Sequence, residues 1–187
     1  MMNRPIHILG ISGSLRKGSL NSALLRAAVN LKPPGMEIEI HELADVPLYN
    51  ADIDGKEKPP AVQLLRSRIA AADGLLIATP EYNYSVPGVL KNAIDWASRG
   101  GAESPLTGKP AALFGIGGMM GTSRAQLHLR QILLFNGMLV LPKPEVYISS
   151  APEKIDAAGQ LTDEPTSRRV GELLQAFLVW TRRFGAS

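Results

Sequence analysis

The sequence predicts a doubly wound α/β fold, a parallel sheet covered by helices on both faces. Short apolar runs alternate along the chain with longer stretches whose apolar residues recur every three or four positions. Parallel strands need such crossover helices between them, and the crossovers are right-handed. The chain's 187 residues, 45% hydrophobic and 20% charged, suit one domain over residues 1–187.

Residues 6–11, Ile-His-Ile-Leu-Gly-Ile, predict the first strand, and Leu20, Ala23, Leu24, Ala27 and Leu31 follow with helical spacing. Pro33-Pro34-Gly35 stops that helix, residues 36–43 alternate as a second strand, and a Pro- and Asp-rich loop runs to Pro60. A helix is expected over 61–72. Residues 74–79 are a continuous apolar run of the kind buried on both faces, and helical spacing resumes over 89–98. The unit repeats with a strand at 111–116, a glycine-rich turn, a helix at 123–135 and a strand at 138–141. Residues 149–164 read as loop, and Leu173, Leu174, Phe177, Leu178 and Thr181 mark a last helix with Pro165 near its first turn. Five strands result.

Composition removes several function classes. The chain has no cysteine, which excludes disulfides, thiolate nucleophiles, Cys-ligated zinc and iron–sulfur clusters, so redox chemistry would need an organic cofactor. His7, His41 and His128 are too scattered to form a metal-ligand pattern. No apolar run reaches the length of about 20 residues that spans a bilayer, and residues 1–4 lead into the first strand without a signal-peptide core. A cytoplasmic protein without membrane contact is expected. The net charge of +3 comes from scattered Lys and Arg with only 5% aromatic residues, which argues against a nucleic-acid partner.

In doubly wound folds ligands bind beyond the carboxyl ends of the strands, where strand order reverses. The loop after the first strand, residues 10–21, carries Gly13 and Gly18 for tight curvature and ends on a helix start with unpaired N–H groups. Ser14, Arg16, Ser19 and Asn21 add donors suited to an anion. Ser19 stands where a Walker motif needs lysine, and Gly10-x-x-Gly13 is not the dinucleotide fingerprint. A compact monophosphate such as that of FMN suits the loop better. Taken alone, the same residues also fit a Ser/Gly turn with a helix cap. The loop at 79–88 is stiffened by Pro80 and Pro87 and offers amides that could line a flat heterocycle; equally, its tyrosines could pack on a partner subunit. The turn at 115–121 allows close backbone approach to the same crevice.

These residues resemble the NAD(P)H-dependent FMN reductases, which include the bacterial chromate and quinone reductases of flavodoxin-like fold. Gly13-Ser14-Leu15-Arg16-Lys17-Gly18-Ser19-x-Asn21 resembles the family's phosphate loop. The run from Pro80-Glu81-Tyr82-Asn83-Tyr84-Ser85-Val86-Pro87-Gly88 through Trp96 is similar to its flavin loop, and Gly118, Gly121, Arg124, Ala125 and Gln126 to its third block. The resemblance implies strand order 2-1-3-4-5 and FMN as cofactor. Phosphate contacts would come from Ser14, Arg16, Ser19 and Asn21, and ring contacts from Pro80, Glu81, Tyr82, Asn83 and Gly117. It also implies NADPH or NADH as hydride donor, a small-molecule acceptor (quinones, free flavins, azo compounds or chromate) and a homodimer or homotetramer. No side chain is expected to serve as an obligatory acid or base. One departure stands out: where family members often carry a serine before the third turn, this chain has Gly115-Ile116-Gly117. A different class, the flavodoxin-like electron carrier without NAD(P)H turnover, is the alternative; such carriers are typically acidic, and this chain is basic.

Overall fold

The computed structural model describes residues 4–184. In chain order the elements are β1 (Ile6–Ser12), α1 (Leu20–Leu31), β2 (Met36–His41), α2 (Pro60–Ala71), β3 (Gly74–Ala78), α3 (Gly88–Ala97), β4 (Pro110–Ile116), α4 (Ser123–Phe135), β5 (Leu139–Val140), β6 (Val146–Ile148) and α5 (Glu164–Phe184). All strand pairs are parallel, in the order β2-β1-β3-β4-β5, with β6 also pairing β4.

The period of two along each strand divides the core between the two faces. Ile6 and Ile8 of β1, Leu76 and Ala78 of β3, and Ala112, Phe114 and Ile116 of β4 pack with α1 and α5, including Leu24, Leu25, Leu174 and Phe177. Leu9 and Ile11, Leu75 and Ile77, and Ala111 and Leu113 face the other way, onto Leu65, Ile69, Leu90, Ile94, Leu129 and Leu133 of α2, α3 and α4. Each large side chain so buried contributes about 1.5–3 kcal/mol of transfer free energy.

The sheet differs from the expected five strands at its edge. Leu139 and Val140 pair with the start of β4, Val146 to Ile148 pair with its end, and Pro142 and Pro144 lie between. Proline has no N–H to donate to a ladder, so the edge position breaks into β5 and β6. Trp96 is fully buried and donates through Nε1 to Pro47 O at 2.8 Å. Asn92 accepts from Tyr49 N at 2.7 Å and donates to Pro47 O at 2.8 Å, so α3 pins the long 43–59 connection to the body of the protein.

Candidate flavin site

Three loops meet beyond the carboxyl ends of β1, β3 and β4, and hydrogen bonds between them fix their spacing. Gly13 N donates to Ala78 O at 2.9 Å and Thr79 N donates to Phe114 O at 3.0 Å. The buried Asn21 amide donates to Ile116 O at 2.8 Å and accepts from Ile116 N at 3.0 Å, tying the first helix to the third loop. The loops enclose a cleft of about 720 Å³ lined by Ser14, Arg16, Ser19, Leu20, Asn21, Pro80, Glu81, Tyr82, Tyr84, Ile116, Gly117, Gly118, Met119, Met120, Gly121 and Arg124. This volume suits a ligand of cofactor size.

One end of the cleft gathers hydrogen-bond donors of the kind that suit an anion. Ser19 caps α1 by accepting from Ser22 N at 3.2 Å, which leaves its hydroxyl hydrogen free to donate. The first N–H groups of α1, at Leu20 and Asn21, have no intrahelical acceptor and carry the positive end of the helix dipole. The exposed Arg16 guanidinium donates to Gly18 O at 2.7 Å and keeps further N–H groups, and Ser14 Oγ lies 3.4 Å from Tyr82 Oη.

The second loop presents backbone rather than carboxylate. Tyr82 and Ser85 exchange backbone hydrogen bonds of 3.1 and 2.9 Å across Asn83 and Tyr84, whose φ values of 50° and 63° give a tight left-handed turn of the type I′ kind. The Glu81 carboxylate points away into the start of α4, accepting from Arg124 N at 3.0 Å, Ala125 N at 3.2 Å and Arg124 Nε at 2.6 Å. It satisfies first-turn donors that α4 lacks a capping side chain for, since Thr122 makes no such bond. Arg124 also lies 3.7 Å over the Tyr84 ring.

The third loop turns sharply: Gly121 N donates to Gly118 O at 3.0 Å, with Gly121 at φ 60°. Met119 and Met120 occupy the corner, 91% and 55% exposed. A Cβ at Gly115 would overlap both Thr122 Oγ1 and Thr79 O, and one at Gly117 would sit 2.5 Å from Gly121 O. Glycine at 115 and 117 is therefore required by this turn's packing.

The comparisons with known proteins agree with this geometry. The pattern of the NADPH-dependent FMN reductase family matches residues 6–153. The chain belongs to that family. This FMN reductase family member is 55% identical over 183 residues to an NAD(P)H-dependent FMN reductase of Pseudomonas aeruginosa, covering 97% of this chain and 98% of the relative. It is 43% identical over 180 residues to a quinone reductase of Escherichia coli strain K12, with 94% and 95% coverage. Among solved structures, FerB, a flavoenzyme NAD(P)H:(acceptor) oxidoreductase from Paracoccus denitrificans, superposes with a TM-score of 0.89 at 37% identity, covering 97% of this chain and all of FerB. The flavodoxin-like strand order, the oxidoreductase class and the FMN and NAD(P)H requirement follow from membership.

The residues present fit FMN. Hydroxyls, a guanidinium and helix N–H groups converge at one end, and a glycine turn with exposed apolar side chains flanks the other. Of the sequence-predicted site residues, Ser14, Arg16, Ser19, Asn21, Pro80, Glu81, Tyr82 and Gly117 share the cleft, while Asn83 stands at the exposed corner of its turn outside the lining. Met119 and Met120 also line the cleft, at a turn whose glycines by themselves point only to close backbone approach. Two apolar side chains set between Gly118 and Gly121 were the signal, since a tight turn has nowhere to bury them.

Proposed function

We propose that this FMN reductase passes reducing equivalents from NADPH or NADH, through FMN held in the three-loop cleft, to quinones and, more broadly, to free flavins, azo compounds and chromate. The observation that carries this reading is the division of the cleft into a donor-rich end and an open end edged by exposed Met119, Met120, Tyr82 and Tyr84. Bound FMN would supply a two-electron carrier between nicotinamide and acceptor.

The chain's own residues bind and orient. Ser14, Arg16, Ser19 and the first N–H groups of α1 hold the phosphate. Asn21 has its amide oxygen and one N–H engaged by Ile116, so its larger contribution is to set the distance between the phosphate loop and the third turn. The backbone of residues 80–82 and of Gly117 lines the ring. No lining carboxylate is free to move a proton, because Glu81 is engaged by the start of α4, and Lys91 holds Asp95 at 2.7 Å outside the cleft. Alignment rather than acid–base work thus carries the rate. Broad acceptor use follows from an open site edged by adaptable thioethers.

The same reading includes assembly and location. No helix among the described residues is long and apolar enough to cross a membrane. We place the protein in the cytoplasm, as a homodimer or homotetramer. The deciding experiment is an absorbance spectrum of the purified protein followed by anaerobic NADPH and then a quinone. A yellow protein that bleaches with NADPH and recovers its colour with quinone supports the enzyme. Full FMN loading without NADPH or NADH oxidation would point to an electron carrier instead.

A further inference from the structure

A second groove, of about 380 Å³, lies across the first loop from the flavin cleft, at the carboxyl ends of β1 and β2. The two share Ser14 and Arg16, so the loop forms a common wall. Three permanent cations line the groove, Arg16, Lys17 and Arg26, against one carboxylate, Glu42. Arg16 belongs to the phosphate end of the flavin cleft. Lys17 and Arg26 are exposed and make no ion pair or hydrogen bond among the described residues. His41, also in the lining, is held below the ordinary histidine range first by burial and then by the Arg68 charge, and adds no fixed charge. On the wall, Ser22 Oγ donates to Ser12 Oγ at 2.8 Å, which leaves the Ser12 hydroxyl hydrogen available.

We infer that this groove holds the 2′-phosphorylated adenosine end of NADPH while its nicotinamide occupies the flavin cleft. The inference rests on the functional reading above, in which NADPH reduces FMN held in the cleft, so that its nicotinamide would take the open end. FMN fills part of the cleft of about 720 Å³, so the adenosine end of a dinucleotide whose nicotinamide sits there has to lie beyond it. The groove across the first loop shares Ser14 and Arg16 with the cleft and is lined by Lys17 and Arg26, which have no ion-pair or hydrogen-bond partner among the described residues. The ligand's chemistry matches the lining. A phosphomonoester is met by Lys17 and Arg26, and the ribose hydroxyls by Ser12 and the Glu42 carboxylate. NADH lacks the 2′-phosphate, so the same pair selects between the two donors.

The test titrates the FMN-loaded protein with 2′,5′-ADP by calorimetry, beside 5′-AMP and inorganic phosphate, in the parent and in the Lys17→Ala/Arg26→Ala double variant. The parent is expected to prefer 2′,5′-ADP to both controls, and the variant to lose about ten- to a hundredfold of that affinity, the effect of one or two charge-assisted hydrogen bonds. In steady-state kinetics the variant should lose a similar factor in kcat/KM for NADPH with NADH use and FMN content unchanged. Three results overturn the inference: variant affinity for 2′,5′-ADP equal to the parent's, inorganic phosphate binding as tightly as 2′,5′-ADP, or an equal loss with NADPH and NADH. Failure of the functional reading looks different, as absent turnover with either donor, and the calorimetric arm decides the groove in either case.

Discussion

At the scale of single residues, the role proposed for the first loop is binding without chemistry. Arg16 reaches the anion end of the cleft from an exposed position and supports no core packing. Arg16→Ala should therefore weaken FMN by about ten- to a hundredfold, the equivalent of roughly 1.5–3 kcal/mol for one charge-assisted bond. Turnover at saturating FMN should hardly change, and FMN retention through gel filtration with kinetics on the reloaded protein measures both. Gly115 makes the opposite kind of prediction. Any side chain there displaces Thr122 or the Thr79 carbonyl, so Gly115→Ala should destabilise the fold by about 1–3 kcal/mol, read as a lower denaturant midpoint. Ser14, Arg16, Ser19 and Asn21 were legible as one group because they fall between a strand and a helix start, and the cleft brings all four together. The role of Glu81 was not, because a carboxylate's partners lie 43 residues away, on Arg124, and no local pattern announces them.

Among the elements, β1, β3 and β4 were legible from their continuous apolar runs, and α1 to α4 from periodicity, with ends within a residue or so of those expected. The edge escaped. Val146, Tyr147 and Ile148 are too few to stand out after two prolines, and only pairing with the end of β4 makes them a strand. The start of α4 shows how one element depends on another. Glu81, on the second loop, accepts from two first-turn N–H groups that α4 cannot satisfy from its own cap. Glu81→Gln keeps the shape and removes the charge, so it should fray the first turn of α4 and release Arg124. We predict a stability loss of about 1–2 kcal/mol, of the size seen when a cap or a charged hydrogen bond is lost. Amide exchange at Arg124 and Ala125 should speed up, with the hydride-transfer rate at full FMN loading little affected. A loss of that rate by orders of magnitude at full loading would instead make Glu81 part of the chemistry.

Across the whole molecule, acid stability and assembly follow from groups far from the cleft. Asp73 joins the starts of β1 and β3: it accepts from Arg4 at 2.6 and 2.9 Å and from His7 N at 2.7 Å. Burial alone would raise its pKa, yet the hydrogen bonds from Arg4 and His7 and the Arg4 charge together hold it below the ordinary carboxylate range. A carboxylate with a depressed folded-state pKa stabilises the protein above its unfolded value, and that contribution is lost as pH falls through the folded one. Stability should thus decline below about pH 4, the ordinary aspartate range, and Asp73→Asn should flatten that decline in urea midpoints taken across acid pH. The homo-oligomer proposed above would draw on α4, whose outer face carries Leu127, Leu134 and Phe135, 53%, 74% and 87% exposed and on one side by helical spacing. Apolar side chains grouped this way on a helix are more costly in water than the same residues scattered, and burying each against a second copy contributes about 1.5–3 kcal/mol. A two-fold contact would bring the same face of each copy together and count every residue twice. Leu134→Ser/Phe135→Ser should therefore shift the assembly toward smaller species without unfolding it, as light scattering and circular dichroism would show. The parent should scatter as a multiple of 20.1 kDa at micromolar concentration, and a parent that runs as a monomer removes both the assembly and the role of this face.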